Sequence, residues 1–178
     1  MAPITAFDVS INLNLRGLKA IKSLLEKATT HSSAENDSTL ATEKINDIPS
    51  LAFHVQACTN LATGGLSLLT GTEQNTPTWT ADSTTKLGDL ISHVAETIAQ
   101  IDNNGVKPVD LEGVEDQTLP VKYGNGQTAS WGGREYILGY HIPNFMFHLC
   151  AVYSALKSQG VEVGKMDYLM PFMEGMAP

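Results

Sequence analysis

Between Thr5 and Thr30 the apolar residues Phe7, Ile11, Leu15, Leu18, Ile21 and Leu25 recur every three or four positions, with Lys and Glu side chains between them. This period predicts an amphipathic helix whose apolar stripe joins a core and whose charged face meets water. Asn12, Asn14 and Arg16 border the stripe and are expected at the surface. From His31 to Pro49 the period is lost and Ser, Thr, Asn and Asp accumulate. A surface connection is expected there, with a helical turn around Leu40 to Lys44 and with His31 exposed. Leu51, Val55, Cys58 and Ala62 then mark the core face of a second helix, from Pro49 to about Thr70 before Gly71. His54 and Leu61 lie along the edge of that face. Gly64 and Gly65 weaken this helix by about 1 kcal/mol each relative to Ala, which points to a close helix approach or an opening beside a pocket. Pro77 and Trp79 sit in a turn-forming stretch, after which Asp82 or Ser83 can cap a third helix. Its period runs through Leu87, Leu90, Ile91, Val94, Ile98 and Ile101 and stops at Asn103-Asn104-Gly105, with His93 turned away from the stripe.

After Val106 the pattern changes. Thr118–Val121 and Gln127–Trp131 flank Gly124-Asn125-Gly126, a turn combination that takes positive φ at little cost, so a short β-hairpin is predicted. An isolated hairpin is marginal, and this one is expected to pack over the helices as a cover. Arg134 to Tyr140 is expected to give a turn or two of helix. Pro143, with no N–H to lose, then suits the first turn of a last helix running to Gly160. Between Phe145 and Tyr153 that helix carries no polar side chain except His148, so it must be buried. Asn144 and His148, four apart, share one side, and the small residues Ala151 and Ala155 continue it. The tail from Val161, with its Met and Phe residues, is expected to fold back on the bundle and to fray at its end. Together these elements predict an all-α four-helix bundle with a β-hairpin inserted before the last helix, one domain over residues 1–178.

Composition narrows the function classes. The chain is 42% hydrophobic and 17% charged, ordinary for a soluble domain with a core of its own. The net charge of −8 comes with no basic cluster, which argues against nucleic acid and against anionic membrane surfaces as partners. No apolar run approaches the roughly 18 residues of a membrane span, and no secretory leader is recognisable at the N-terminus, so a cytoplasmic location is expected. Cys58 and Cys150 fall in buried helices without disulfide or zinc spacing and are read as small hydrophobes. No serine sits in a nucleophile elbow, and Glu135 beside Arg134 reads as a surface or capping pair.

Several segments also carry a family likeness. Leu15-Arg16-Gly17-Leu18, the helix from Asp89-Leu90 to Ile101, Gly133 to Gly139, Pro143-Asn144-Phe145 to His148, and Gly164 to Leu169 occur in an order that resembles a family of unknown function in the DinB/YfiT-like superfamily of four-helix bundles. The resemblance runs from about Phe7 to Leu169. It implies a DinB-like bundle, and many proteins of that kind hold a metal with one His on the second helix and a His-x-x-x-His pair on the fourth. Here His54 stands on the second helix, while the fourth offers Asn144-x-x-x-His148, and an amide oxygen is a weaker ligand than imidazole for zinc or nickel. His141, seven residues before His148, takes a similar angular position if the helix continues through Pro143.

Three functional readings follow. In the first, His54, His148 and either His141 or Asn144 converge on a divalent metal (zinc, nickel or iron), with Cys58 as a further recruit. In the second, no metal is needed. His148 or His54 acts as general acid or base, with Tyr140 or Asn144 as hydrogen-bonding electrophile, in a pocket between the second and fourth helices walled by Trp131, Tyr136, Phe145, Met146 and Phe147. That site suits elimination, isomerisation or cyclisation of a small apolar molecule. In the third, the bundle binds a ligand or a second copy of itself without catalysis, the tail supplying a homodimer contact. The plainest account of His148 is a neutral ring hydrogen-bonded to Asn144, His54, Tyr136 or Tyr140. A small-molecule enzyme is the expectation carried forward.

Overall fold

The computed structural model describes residues 3–31, 34–44, 49–72, 80–84, 86–122 and 127–175. A π-helical stretch, Asp8–Asn12, leads into α1 (Leu13–His31), so the first predicted helix is present as one rod of two pitches. Its buried face is Asn14, Gly17, Leu18, Ile21, Leu24, Leu25 and Ala28. Asn14 is thus buried, contrary to its expected surface position. A full helix, α2 (Ala34–Thr42), replaces the expected connection with a single turn, and Leu40 and Ala41 anchor it in the core.

Helix α3 (Leu51–Thr70) starts where Ser50 accepts a hydrogen bond from the Phe53 amide and stops at Gly71, whose φ of 68° few other residues adopt. The expected cap of the third helix forms a separate 3₁₀ turn, Ala81–Ser83, closed by Thr80 and Ser83. Helix α4 (Leu87–Asn104) begins only after Lys86. Strands β1 (Thr118–Lys122) and β2 (Thr128–Gly132) pair antiparallel, with Leu119 opposite Trp131. Leu119 and Val121 face inward, and β1 lies against α3 as the predicted cover. The turn at Gly124-Asn125-Gly126, the Pro77–Trp79 stretch and the fraying end fall outside the described residues.

The chain then turns helical at Gly133 and remains so to the end of α5 (Ile142–Ser158). Pro143 stands in the first turn of α5, as predicted, but that turn follows without a break from a π-helical stretch, Glu135–His141, so the proline lies within one continuous helical rod. The physical reason is local. Proline offers no N–H, and its ring would meet the carbonyl four residues back in an α-coil, whereas the wider coil upstream is closed by i→i−5 bonds such as Ile142 N–H to Ile137 O. Helices α1, α3, α4 and α5 form the four-helix bundle around Leu18, Ile21, Leu66, Leu90 and Leu149. Helix α6 (Lys165–Leu169) and a 3₁₀ turn, Met170–Met173, fold back on α1 as expected. Lys27 bonds Asp167 there, and the Arg16 guanidinium donates to the Phe172 carbonyl. Cys58 is buried, but Cys150, one position past core Leu149 and so about 100° round the helix, is exposed.

Candidate functional site

Helices α3 and α5 run antiparallel, so residue 54 meets 148, residue 58 meets 145 and residue 65 meets 141. At the first of these levels, His54 Nδ1 lies 2.9 Å from His148 Nδ1. Two neutral imidazoles can make that bond only if one donates its N–H to the other's lone pair. Both are held neutral. Burial, then the neighbouring His148, lowers the pKa of His54 to about 4, and burial lowers that of His148. His54 is buried, with its Nε2 unpartnered, while His148 is half-buried and is the ring that a ligand can reach. Phe53 and Phe147, 42% and 64% exposed, set their edges against the two rings at centroid distances of 5.2–6.3 Å.

His141 does share a helix face with His148, but not a level. Seven residues of α-helix separate them by about 10 Å along the axis, several times a metal–nitrogen bond length. His141, fully buried, fits into the gap left by Gly65: a Cβ there would stand 3.0 Å from its Nε2 and 3.1 Å from its Nδ1. Asn14 Nδ2 donates to Nε2 at 2.8 Å, and the Tyr136 oxygen lies 3.4 Å from Nδ1. Burial lowers the His141 pKa to about 4 and raises that of Tyr136 to about 12, so the first is neutral and the second protonated at neutral pH. The i→i+5 coil makes this contact. In an α-helix, residues 136 and 141 would point about 140° apart, whereas here their rings lie 5.5 Å apart at 32°.

A cavity of about 770 Å³ opens on this second level, between α3, β1 and the π-helical stretch. Tyr136 and Tyr140 line it, with Gly64, Gly65, Val121 and Lys122 among the other lining residues. The expected pocket near His54, Asn144 and His148 and this cavity are therefore different places. Trp131 reaches the cavity wall indirectly, edge-on to Tyr140 at 5.7 Å. Phe145 is core: it packs on Gly17, where a Cβ would stand 2.8 Å from its Cζ. Asn144 is half-buried one turn from His148 and bonds neither imidazole.

The metal reading can be tested on the donor set. Among the described residues no group of three or more His, Cys, Asp or Glu side chains is placed to hold a metal ion. His54 and His148 spend their facing nitrogens on each other, and Cys58 contacts the Phe145 carbonyl rather than either ring. The residues present do not fit the three-ligand centre that the resemblance implies. Two residues that matter here carried no expectation of a site role in the sequence, Asn14 and Phe53, whereas Gly65 provides the close approach expected of it. For Asn14 a signal existed, because it lies three after Ile11 and four before Leu18, on the core stripe itself.

No curated protein matches the chain. The crystal structure of a DinB family member protein from Shewanella denitrificans superimposes with a TM-score of 0.77 at 26% identity, over 92% of this chain and 90% of that one. Among the described residues no helix is long and apolar enough to cross a membrane. The fold is thus that of a DinB-like bundle, and residues 6–169 match the model of a domain of unknown function (DUF1993), the family to which this chain belongs.

Proposed function

We propose that this protein is a small-molecule enzyme that moves protons at the His54–His148 pair, in an elimination, isomerisation or cyclisation. The observation that carries the reading is the 2.9 Å contact between two Nδ1 atoms. When one ring donates to the other, one outer nitrogen bears a proton and the other a lone pair, so the unit can give a proton or accept one. His148 is the catalytic residue, being the accessible ring. His54 is a positioning residue that fixes its tautomer. Phe53 and Phe147 offer an apolar wall for substrate, and Asn144, one turn away, offers an amide. The cavity lacks such a group: its described lining contains no His, Asp or Glu, and His141 is sealed behind Gly65 and Tyr136.

The test is hydrogen exchange on carbon. A panel of small enolisable ketones and conjugated esters is incubated with the protein in deuterated water, and loss of the acidic C–H signal is followed by proton NMR. Exchange above the buffer rate that falls about a hundredfold in His148→Gln is expected. In His54→Gln the pH profile shifts as well as the rate. Equal rates in the parent and His148→Gln would overturn the reading. A second reading, a ligand-binding bundle without turnover, draws on the cavity and would be favoured by binding with no exchange.

A further inference from the structure

The cavity shares no lining residue with the His54–His148 pair, and the two levels are set eleven residues apart on α3, about 16 Å along its axis. We propose that this cavity is a binding site for a planar organic anion, an aromatic or conjugated carboxylate. It stands apart from the acid–base reading of the histidine pair.

Size is the first observation. A volume of about 770 Å³ lies within the roughly 300–1,000 Å³ of sites that enclose small organic ligands. Charge is the second. The chain carries 19 acidic residues and a net charge of −8, yet none of the described lining residues is acidic, and Lys122 is cationic. Among the described lining residues an anion therefore meets one cation and no carboxylate.

The third observation is a held hydroxyl. An amide nitrogen only donates, so Asn14 Nδ2 bonded to His141 Nε2 places the His141 proton on Nδ1, facing the Tyr136 oxygen. With its oxygen accepting from His141, Tyr136, which lines the cavity, keeps its own O–H as a donor outside that bond. The reverse orientation of the Asn14 amide would leave an N–H unpaired in the core in place of the bare Oδ1, and buried N–H groups tolerate that less well. Burial keeps Tyr136 protonated, so it serves as a donor to an oxyanion.

The fourth observation is shape. Gly64 lines the cavity, and a Cβ there would meet no atom within 4 Å, so the α3 backbone forms a bare floor with open space above it. The Tyr140 ring, braced edge-on by Trp131, is a wall. A conjugated ring suits such a slot, its carboxylate between Tyr136 and Lys122.

Isothermal titration of the full chain with naphthoate, neutral naphthamide and cationic naphthylmethylammonium tests this. Naphthoate is expected to bind saturably, the amide about tenfold more weakly and the cation not at all. Tyr136→Phe should weaken naphthoate about tenfold. Gly64→Leu fills the floor without touching the core, so it should abolish binding while the melting temperature holds or rises. His148→Ala should leave naphthoate binding unchanged, which separates this site from the histidine pair. No saturable binding at millimolar concentration, equal affinity for the three probes, or retained binding in folded Gly64→Leu would each overturn the proposal.

Discussion

Adjacent glycines on α3 should respond to the same substitution with opposite sign. Alanine is favoured over glycine inside a helix by about 1 kcal/mol, a gain available to both Gly64→Ala and Gly65→Ala. At position 64 nothing stands within 4 Å of the new methyl, so that gain is kept. At roughly 0.3–0.5 kcal/mol per degree for a chain of this length, Gly64→Ala should melt about 2–4 °C higher. At position 65 the methyl would press on the His141 ring, 3.0 Å from Nε2 and 3.1 Å from Nδ1. That ring cannot swing aside freely, because Asn14 holds one nitrogen and Tyr136 faces the other. Overpacking costs about 1–3 kcal/mol, and a buried polar group losing its partner about 1–3 kcal/mol more. Set against the helix gain, Gly65→Ala should lose about 1–5 kcal/mol net and melt several degrees lower. Urea and thermal unfolding followed by circular dichroism measure both variants. In the His141→Ala background the penalty at 65 should shrink, since its steric partner is gone. Stabilisation by both alanines, or an unchanged penalty in that background, would refute the packing of His141 against Gly65.

Acid should destabilise the fold in a defined window. His54 and His141 titrate near 4 in the folded chain against about 6.5 unfolded, so the unfolded chain takes up protons first. Stability is complete above about pH 6.5 and falls as pH drops toward 4, by about 3 kcal/mol from His141 alone. Urea midpoints measured across that range check this, and a flat profile would contradict the burial of both rings. Under native conditions a thiol reagent should modify one cysteine rapidly: Cys150 is exposed, whereas Cys58 is buried with its thiol pKa pushed up. Peptide mapping after labelling identifies the site, and modification of Cys58 first would contradict the packing of α3 on α5. Protein purified without chelator or affinity tag should hold well under one equivalent of zinc, nickel or iron by elemental mass spectrometry. One equivalent, lost in both His54→Ala and His148→Ala, would overturn the acid–base reading.

The bundle was legible because its determinants are periodic. Leu18, Ile21 and Leu25 on α1, or Leu87, Leu90, Val94 and Ile101 on α4, repeat at helical spacing, and all are buried. The hairpin was legible from its strands, and His54 opposite His148 was within reach of a bundle topology. What stayed hidden depends on geometry that periodicity does not carry. By polarity Asn14 reads as a surface residue, although its position on the stripe puts it in the core beside a partner 127 residues away. Helical angle alone groups His141 with His148; angle selects a face, and only axial distance decides which residues on that face can meet one ligand.

Pro143 shows why the site was harder to read than the fold. A proline preceded by glycine and aromatic residues reads as a fresh helix start, since the α-coil cannot pass through it unperturbed. The chain instead passes through by widening the preceding turns to i→i+5, which keeps a single rod and re-aims everything before the proline. That change of pitch sets the Tyr136 ring beside that of His141, 5.5 Å away, and brings Tyr136 and Tyr140 to the wall of the cavity under the hairpin. Downstream of Pro143 the α-pitch resumes, and His148 faces His54 as an ordinary bundle position would. One rod thus carries two levels: His148 with its Nδ1 2.9 Å from that of His54, and Tyr136 with its oxygen 3.4 Å from His141 Nδ1. The residue types for both were visible in the sequence, but their division between two levels follows from the pitch change before a single proline.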